Sequence, residues 1–331
     1  MASEFPKVSV IICTYNQQDF VAETLESVLA QTYPSVEIIV TDDGSTDDTP
    51  QILKRFATVN PNKIKLVFSE KNTGIPSNIN RGLAIRSGDY LVVLDGDDVM
   101  LPDKVSHQVA LLQAHSEATG CYHDVEVFES ESGQILGAFT SLYNGTAQLK
   151  QGNIKQWWTP RYYFLPSSIM CRSSACPTHG YDQRLKYLSE VVFFVESLRN
   201  GQLLALDEIL IRYRRHARNV TDDAQSRSVA HEYELMAYAI LEARYPELHS
   251  ITRKMKASCM IAHAIKCYRE GDAKRGCIIL RNAINDGALL PALATFVGVS
   301  LFRKQIFTMT SGQPFRRLAL IKKVARFIVR H

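Results

Sequence analysis

The sequence predicts an α/β fold, a Rossmann-like and mostly parallel sheet, followed by a C-terminal α-helical region. Three observations carry that expectation. Short apolar runs rich in β-branched residues start at positions 8, 36, 64 and 90, spaced 28, 28 and 26 residues apart. That is the rhythm of strand–helix–strand units whose strands are buried on both faces. Helical stripes fill the intervals, and beyond residue 225 only helical periodicity remains. Two modules are therefore expected, 1–225 and 226–331.

The elements follow in order. Residues 8–13 (VSVIIC) form the first strand, and 19–31 a helix with Val21, Leu25, Val28 and Leu29 along one face. Residues 36–41 (VEIIVT) are the second strand, and 49–56 a helix entered through Asp and Thr caps. Strands over 64–69 and 90–94 (YLVVL) enclose a helix over 75–86. Residues 121–128 and 133–139 read as two strands joined by a polar turn. In the second module, helices are expected over 231–245, 252–269 and 273–286, with Gly271 and Gly287 as stops. An apolar stretch at 288–302 holds Pro291 and is too short to span a bilayer.

Composition narrows the function classes. The chain has 331 residues, 46% hydrophobic and 22% charged, which excludes disordered and collagen-like proteins. No signal-peptide pattern precedes the first strand, so a cytoplasmic location is expected. Seven cysteines, odd in number and without a CxxC pair, read as reduced thiols, not as a disulfide framework or zinc site. The net charge of +4 hides an asymmetry: residues 249–331 carry 16 Lys/Arg against 3 Asp/Glu, and residues 1–248 carry 22 against 31. The acidic body suits a metal or a hydroxyl-rich substrate, and the basic end an anionic surface. Residues 313–331 hold six basic and no acidic side chains, with Phe315, Leu318, Ile321, Val324, Ala325 and Ile328 on one helical face. Such a helix either lies on the inner face of the plasma membrane or packs on the body, and both readings stand at this point. Nucleic acid is not expected as a partner, since no aromatic-interleaved basic groove is present.

The chemistry collects at the strand ends. Right-handed crossovers align the loops after the strands along one edge, where α/β folds bind ligands. After the first strand stands Cys13-Thr14-Tyr15-Asn16, which has no glycine, so dinucleotide and P-loop sites are disfavoured. Asp42-Asp43-Gly44-Ser45-Thr46-Asp47-Asp48 follows the second strand, Asn72-Thr73-Gly74 the third, and Asp95-Gly96-Asp97-Asp98 the fourth. Seven carboxylates on two neighbouring loops repel one another unless a cation sits among them, and a hard divalent ion sharing its shell with phosphates meets that need. The first acidic loop alone also fits a capped turn. Carboxylates packed against a YLVVL strand are harder to explain that way.

The stretches KVSVIICTYNQ, LESVLAQTYPSVEIIVTDDGSTDDT, NTGIPSNINRG and SGDYLVVLDGDD together resemble glycosyltransferase family 2, the inverting nucleotide-sugar transferases with the GT-A fold. The resemblance covers roughly residues 6–220. It implies that Thr14, Tyr15 and Asn16 line the nucleotide, that Asp42 or Asp43 holds the base edge, and that Gly74 and Asn80 stand beside them. Asp95 and Asp97 take the places of the family's DxD residues, with Asp97 on a Mn²⁺ or Mg²⁺ ion that bridges the diphosphate. One departure is visible: Ile79 stands before Asn80 where the family often has Arg, which leaves the nucleotide open between uridine and another base.

The resemblance extends to the second half. The segment from Gly180-Tyr181-Asp182 to Ser189-Glu190 is similar to the family's GxDxxLxxxED stretch, whose last Asp is the general base. Counted from Asp182, Glu190 takes that place. In a second register Glu190 is the family's Glu and Val191 replaces the base. Residues 206–216 resemble the strand that closes the site, which implies His216 as a metal ligand and Arg212 and Arg215 facing phosphate oxygens. The aromatics Trp157, Trp158, Tyr162, Tyr163 and Phe164 either stack on an acceptor sugar or belong to the core. The expected activity is metal-dependent, inverting transfer of a hexosyl or hexosaminyl group. It runs from a UDP-sugar to a glycan or lipid-linked acceptor, in bacterial surface polysaccharide assembly. A catalytically inactive nucleotide-sugar-binding protein is the alternative. A nucleotidyltransferase would want a glycine- and lysine-rich loop where Thr14-Tyr15-Asn16 stands.

Overall fold

A computed structural model describes residues 5–219 and 224–285. The first seven elements are β1 (Val8–Thr14), α1 (Val21–Leu29), β2 (Val36–Asp42), α2 (Thr49–Val59), β3 (Ile64–Phe68), α3 (Ile75–Ile85) and β4 (Tyr90–Asp95). They match the alternation expected from the sequence within a few residues. Next come β5 (Val99–Met100), α4 (Lys104–Ala114), β6 (Ala118–Glu129), β7 (Ile135–Ala138), α5 (Ile154–Trp157), β8 (Met170–Arg172), α6 (Ser189–Leu198) and β9 (Gln202–Arg215).

The sheet runs β3-β2-β1-β4-β8-β6-β9-β5, with β7 on the side of β6. β1 pairs in parallel with both β2 and β4, and the register sets Thr14 opposite Asp42 and Cys13 opposite Asp95. Three loaded loops thus leave the sheet at one level. Alternate residues feed two layers, as a strand buried on both faces requires. Val10, Ile12, Ile38, Val40, Val92 and Leu94 pack with Val21, Leu25 and Val28 of α1. On the other face α3 rests directly on the sheet, because a methyl group added at Gly82 would lie 2.8 Å from Ile11 Cγ2 and 3.0 Å from Thr41 Cγ2.

β9 is the element that closes the site. It runs parallel to β6, and its end turns against β5, with Val99 opposite Arg212. That pairing returns residues 214–216 to the Asp95–Asp98 loop. Glu37 and Lys104 are two of the charged side chains buried in this body. Glu37 accepts from Ser9 Oγ at 2.6 Å, the Ser87 amide at 2.6 Å and Lys65 Nζ at 2.9 Å. Lys104 is fully buried, donates to Gln108 Oε1 at 2.6 Å, and burial pushes its pKa down to about 7.

The chain divides into two compact units: Met1–Trp158 with Tyr162–Arg227, and Thr159–Arg161 with the chain from Ser228 onward. In the second, α7 (Ala224–Arg244), α8 (His249–Arg269) and α9 (Ala273–Asn285) follow in order. Ala257, Ile261, Ala264, Tyr268, Leu280 and Ala283 form a small core between α8 and α9. Gly271, at φ 90°, ends α8 as expected. Gly287, the apolar stretch 288–302 and the basic stretch 313–331 lie outside the described residues. Among the described residues, no helix is long and apolar enough to cross a membrane.

Candidate active site

The ends of β1 and β2 are tied together before any ligand is considered. Thr14 Oγ1 donates to Asp42 Oδ1 at 3.1 Å, and Asp42 also accepts from the Ser45 amide at 3.0 Å. Asn16 holds a left-handed backbone, φ 52°, donates its amide to Ser45 Oγ at 2.8 Å and accepts from the Thr46 amide at 2.8 Å. Asn tolerates that conformation better than most residues. Tyr15, between them, presents 43% of its surface to solvent and is the freest aromatic face of this loop.

Asp43 organises the third loop. It accepts from the Thr73 amide at 3.0 Å, Thr73 Oγ1 at 2.8 Å, the Gly74 amide at 2.7 Å and Arg81 Nη2 at 2.6 Å. Gly74 has φ 91°, which favours glycine at that turn. Arg81 carries no role in the sequence-based expectation. Ile79 is buried, and Arg81, two residues later, supplies the cation beside Asp43. Asn80 turns inward: its amide accepts from Tyr181 N at 2.7 Å and donates to Tyr181 O at 2.9 Å. It is a clamp that holds Gly180–Tyr181 against α3, and the absent Cβ of Gly180 makes room for it.

The fourth loop carries the densest charge. Asp98 is fully buried, accepting from the Arg214 amide at 3.1 Å and Ser167 Oγ at 3.2 Å. Asp97 is 7% exposed, and His216 Nε2 lies 2.9 Å from its Oδ2. The His216 ring stacks on Phe20 with centroids 4.4 Å apart. Asp95 keeps an exposed surface, yet the protein packed around its carboxylate, then the charges of Asp97 and Glu190, raise its pKa to about 7. Gly96 has no room for a side chain, since a Cβ there would sit 2.7 Å from Thr14 Cγ2 and 3.0 Å from Cys13 O.

Glu190 lies in the first turn of α6, which Ser189 opens after Leu188, whose backbone is left-handed at φ 60°. Burial raises the Glu190 pKa, and its charge reaches both Asp95 and Tyr181. The carboxylate expected from the sequence as a base is therefore near enough for its charge to act on the carboxylate at the end of β4. Val191, next in the chain, offers no titratable group.

The basic strand end divides its work. Arg212 Nε donates to Glu126 Oε1 at 2.7 Å and Arg215 Nη1 to Tyr143 Oη at 3.2 Å. Arg214 is the one that reaches the acidic loop: Nε donates to Asp97 O at 2.9 Å, its far end pairs with Glu23, and its plane lies over Phe20 and Phe128. Arg214 was not among the expected site residues. Its signal is the two-residue period of a strand, which puts Arg212 and Arg214 on one face and Arg215 on the other. Of the aromatic cluster, Trp157, Trp158 and Tyr162 are buried core, while Tyr163 is 52% exposed.

A divalent ion fits this donor set in part. Among the described residues no three metal-ligating side chains converge. Asp97 and His216 do converge, and two protein donors suit an ion that completes its shell with substrate phosphate oxygens. His216 Nδ1 accepts from the Arg218 amide at 3.1 Å, which assigns the ring proton to Nε2, pointing at Asp97. An ion on Nε2 has to take the place of that proton.

The pattern described as Glycosyl transferase family 2 matches residues 9–174, half of the chain. An uncharacterized glycosyltransferase of Haemophilus influenzae is 30% identical over 227 residues, 64% of this chain and 66% of that protein. One of Rickettsia prowazekii is 29% identical over 69% of this chain and 70% of its own length. The chain spans 61% of the length of a related Mycobacterium bovis protein. Among solved structures, S. aureus TarS 1-349 in complex with UDP-GlcNAc aligns over 91% of this chain and 88% of its own, with TM-score 0.66 and 17% identity. The mannosyltransferase PcManGT from Pyrobaculum calidifontis, in complex with GDP-Man and Mn²⁺, aligns over 98% and 86%, with TM-score 0.61 and 18% identity. The fold is GT-A with additional C-terminal helices, as expected. The chain belongs to glycosyltransferase family 2.

Proposed function

We propose that the protein is an inverting, metal-dependent glycosyltransferase that moves a hexosyl or hexosaminyl group from a nucleotide-diphosphate sugar to an acceptor hydroxyl. One observation carries this reading: Asp97 and His216 meet 2.9 Å apart in the loop after β4, and the charge of Glu190 acts on Asp95 of the same loop. The candidate base and the charge cluster expected on the phosphate side thus act on one loop. In this reading Thr14, Tyr15, Asn16, Asp42, Asp43 and Gly74 shape the nucleotide edge, and Asn80 acts through its clamp on Tyr181. UDP-sugars are the first donors to test, supported by the UDP-GlcNAc complex of TarS; the GDP-Man of the mannosyltransferase makes guanosine the second class.

Glu190 accepts the acceptor's proton, and the freed oxygen attacks the anomeric carbon from the face opposite the diphosphate. The new C–O bond forms as the bond to the phosphate oxygen breaks, so the configuration inverts and no covalent enzyme intermediate is needed. General-base help of this kind is worth roughly 10²–10⁴ in rate. The raised pKa of Glu190 makes it a stronger base than an ordinary carboxylate. Mn²⁺ or Mg²⁺ on Asp97 and His216 would neutralise the charge that grows on the leaving diphosphate. Residues 1–225 form the catalytic module in this reading. The acceptor is a glycan or a lipid-linked glycan of a bacterial surface polysaccharide, met at the cytoplasmic face of the membrane through 313–331.

The test is metal-dependent release of nucleoside diphosphate from a panel of UDP- and GDP-sugars, for the wild type and Glu190→Gln. The expected result is one preferred donor, slow hydrolysis that requires the ion, and loss of acceptor-stimulated turnover in the variant with donor binding retained. Donor binding without turnover in the wild type replaces this reading with that of a nucleotide-sugar-binding protein, and no donor binding overturns it.

A further inference from the structure

Cys171 and Cys176 stand apart from the nucleotide edge, and the proposed reaction uses neither. Cys171 belongs to β8, between Leu91 of β4 and Gly120 of β6. Cys176 lies beyond the short turn Ser173–Ala175. Both are free thiols, 0% and 8% exposed, and their sulfur atoms are 3.3 Å apart. A disulfide bond is about 2.05 Å long, so closing it needs a movement of only about 1.3 Å. The small turn between them already holds both side chains toward each other.

The two thiols are not equivalent. The hydrogen bond from the Cys171 thiol lowers the Cys176 pKa; burial opposes this, and the charge of Arg86 and a hydrogen bond with Ser197 add to the lowering. Cys171 is pushed the other way by the same partner and by its burial. Cys176, 8% exposed where Cys171 is 0%, is the thiol that a peroxide from solvent meets first, which makes it the nucleophile of the pair and Cys171 the resolving thiol.

We propose that Cys171 and Cys176 form a modification site at which a hydroperoxide produces an intramolecular disulfide. The Cys176 thiolate attacks one peroxide oxygen, giving a sulfenic acid and hydroxide. The Cys171 sulfur then attacks the sulfenic sulfur, an S–S bond forms and water leaves. In sum, two thiols and one hydrogen peroxide give one disulfide and two waters; the sulfurs lose the two electrons that the peroxide gains. The product ties β8, the neighbour of the Asp95 strand, to the segment that runs on to Tyr181 and Glu190.

The sequence supplies a clean test. Trypsin cuts after Arg161, Arg172 and Arg184, which places Cys171 and Cys176 on separate peptides, 162–172 and 173–184. The full chain is treated with graded hydrogen peroxide, blocked with an alkylating agent and digested without reductant. The expected result is a linked 162–172/173–184 pair that dithiothreitol separates, with Cys176→Ser giving no link and leaving Cys171 alkylated. The exposed Cys277 reports that peroxide reached the protein. Oxidised Cys277 beside two unlinked peptides overturns the proposal. Sulfinate or sulfonate at Cys176 without a link, or a link from Cys171 to any other cysteine, overturns it equally.

Discussion

His216 Nε2 lies 2.9 Å from the Asp97 carboxylate, although 119 residues separate the two. The chain achieves this with one short pairing: Met100 of β5 stands opposite Ile211 of β9, so the residues just before β5 and just after β9 meet at the Asp95–Asp98 loop. Phe20 fixes the plane of the imidazole from the other side, 25° from parallel. An acidic turn thereby acquires an imidazole neighbour that it lacks in sequence.

His216→Ala should weaken Mn²⁺ or Mg²⁺ binding in the presence of UDP by on the order of 10–100-fold, the range seen when a metal site loses an orienting partner. Titration calorimetry of the ion into wild type and variant measures it. Equal affinities would mean that His216 neither ligates the ion nor orients Asp97 for it.

Arg214→Met should lower the stability of the strand-containing unit by about 2–4 kcal/mol, since hydrogen bonds from a charged donor are worth roughly 1.5–3 kcal/mol and stacking on a ring adds to that. The variant keeps the aliphatic stem but leaves Asp97 O without its donor and ends the pairing with Glu23. Trp157 and Trp158, the two tryptophans of the chain, both lie in this unit, so urea unfolding followed by tryptophan fluorescence reports it selectively. A shift below about 0.5 kcal/mol, the scale of an ordinary surface substitution, would show that β5 and β9 hold the loop without Arg214.

The parallel half of the fold was legible because strands buried on both faces leave long apolar runs, as in VSVIIC and YLVVL. β5 and β8 were not, because two and three residues are too few for any period. At the site the residue types were readable, but their directions were not. Arg212, Arg214 and Arg215 look alike in sequence, and only the pairing of β9 with β6 and β5 decides which one meets Asp97. Asn80 was expected beside the nucleotide, yet its amide matches the main chain of Tyr181, a partner 101 residues away. Arg81, two residues after Ile79, brings a cation to this loop, because its side chain crosses from α3 to the Asp43 carboxylate.

Glu37 gives the fold an acid-sensitive joint. Burial alone would raise its pKa, but hydrogen bonds from Ser9, the Ser87 amide and Lys65 outweigh it and lower the pKa to about 2. A carboxylate depressed in the folded state contributes stability that is fully present above its ordinary pKa of 4.5 and is lost as pH falls toward 2. Wild-type stability should therefore drop through that window. Glu37→Gln should be less stable at pH 7 and show a flatter profile between pH 4.5 and 2. Urea midpoints by tryptophan fluorescence at a series of pH values test this, and parallel profiles would remove Glu37 from the acid response.

Tyr181→Phe should stabilise the protein. The Tyr181 ring is 2% exposed and stacks on Phe193 at 4.5 Å, but its hydroxyl has no hydrogen-bond partner among the described residues. A buried polar group in that state costs about 1–3 kcal/mol. The ring cannot drift to find a partner, because Asn80 grips the main chain of Tyr181 from both sides. Phenylalanine keeps the stack and removes only the oxygen, so a gain of about 1 kcal/mol in urea unfolding is expected. A loss of similar size would reveal a bound water or substrate-side group that the hydroxyl serves, close to the charges of Glu190 and Asp95 that raise its pKa after burial has done so.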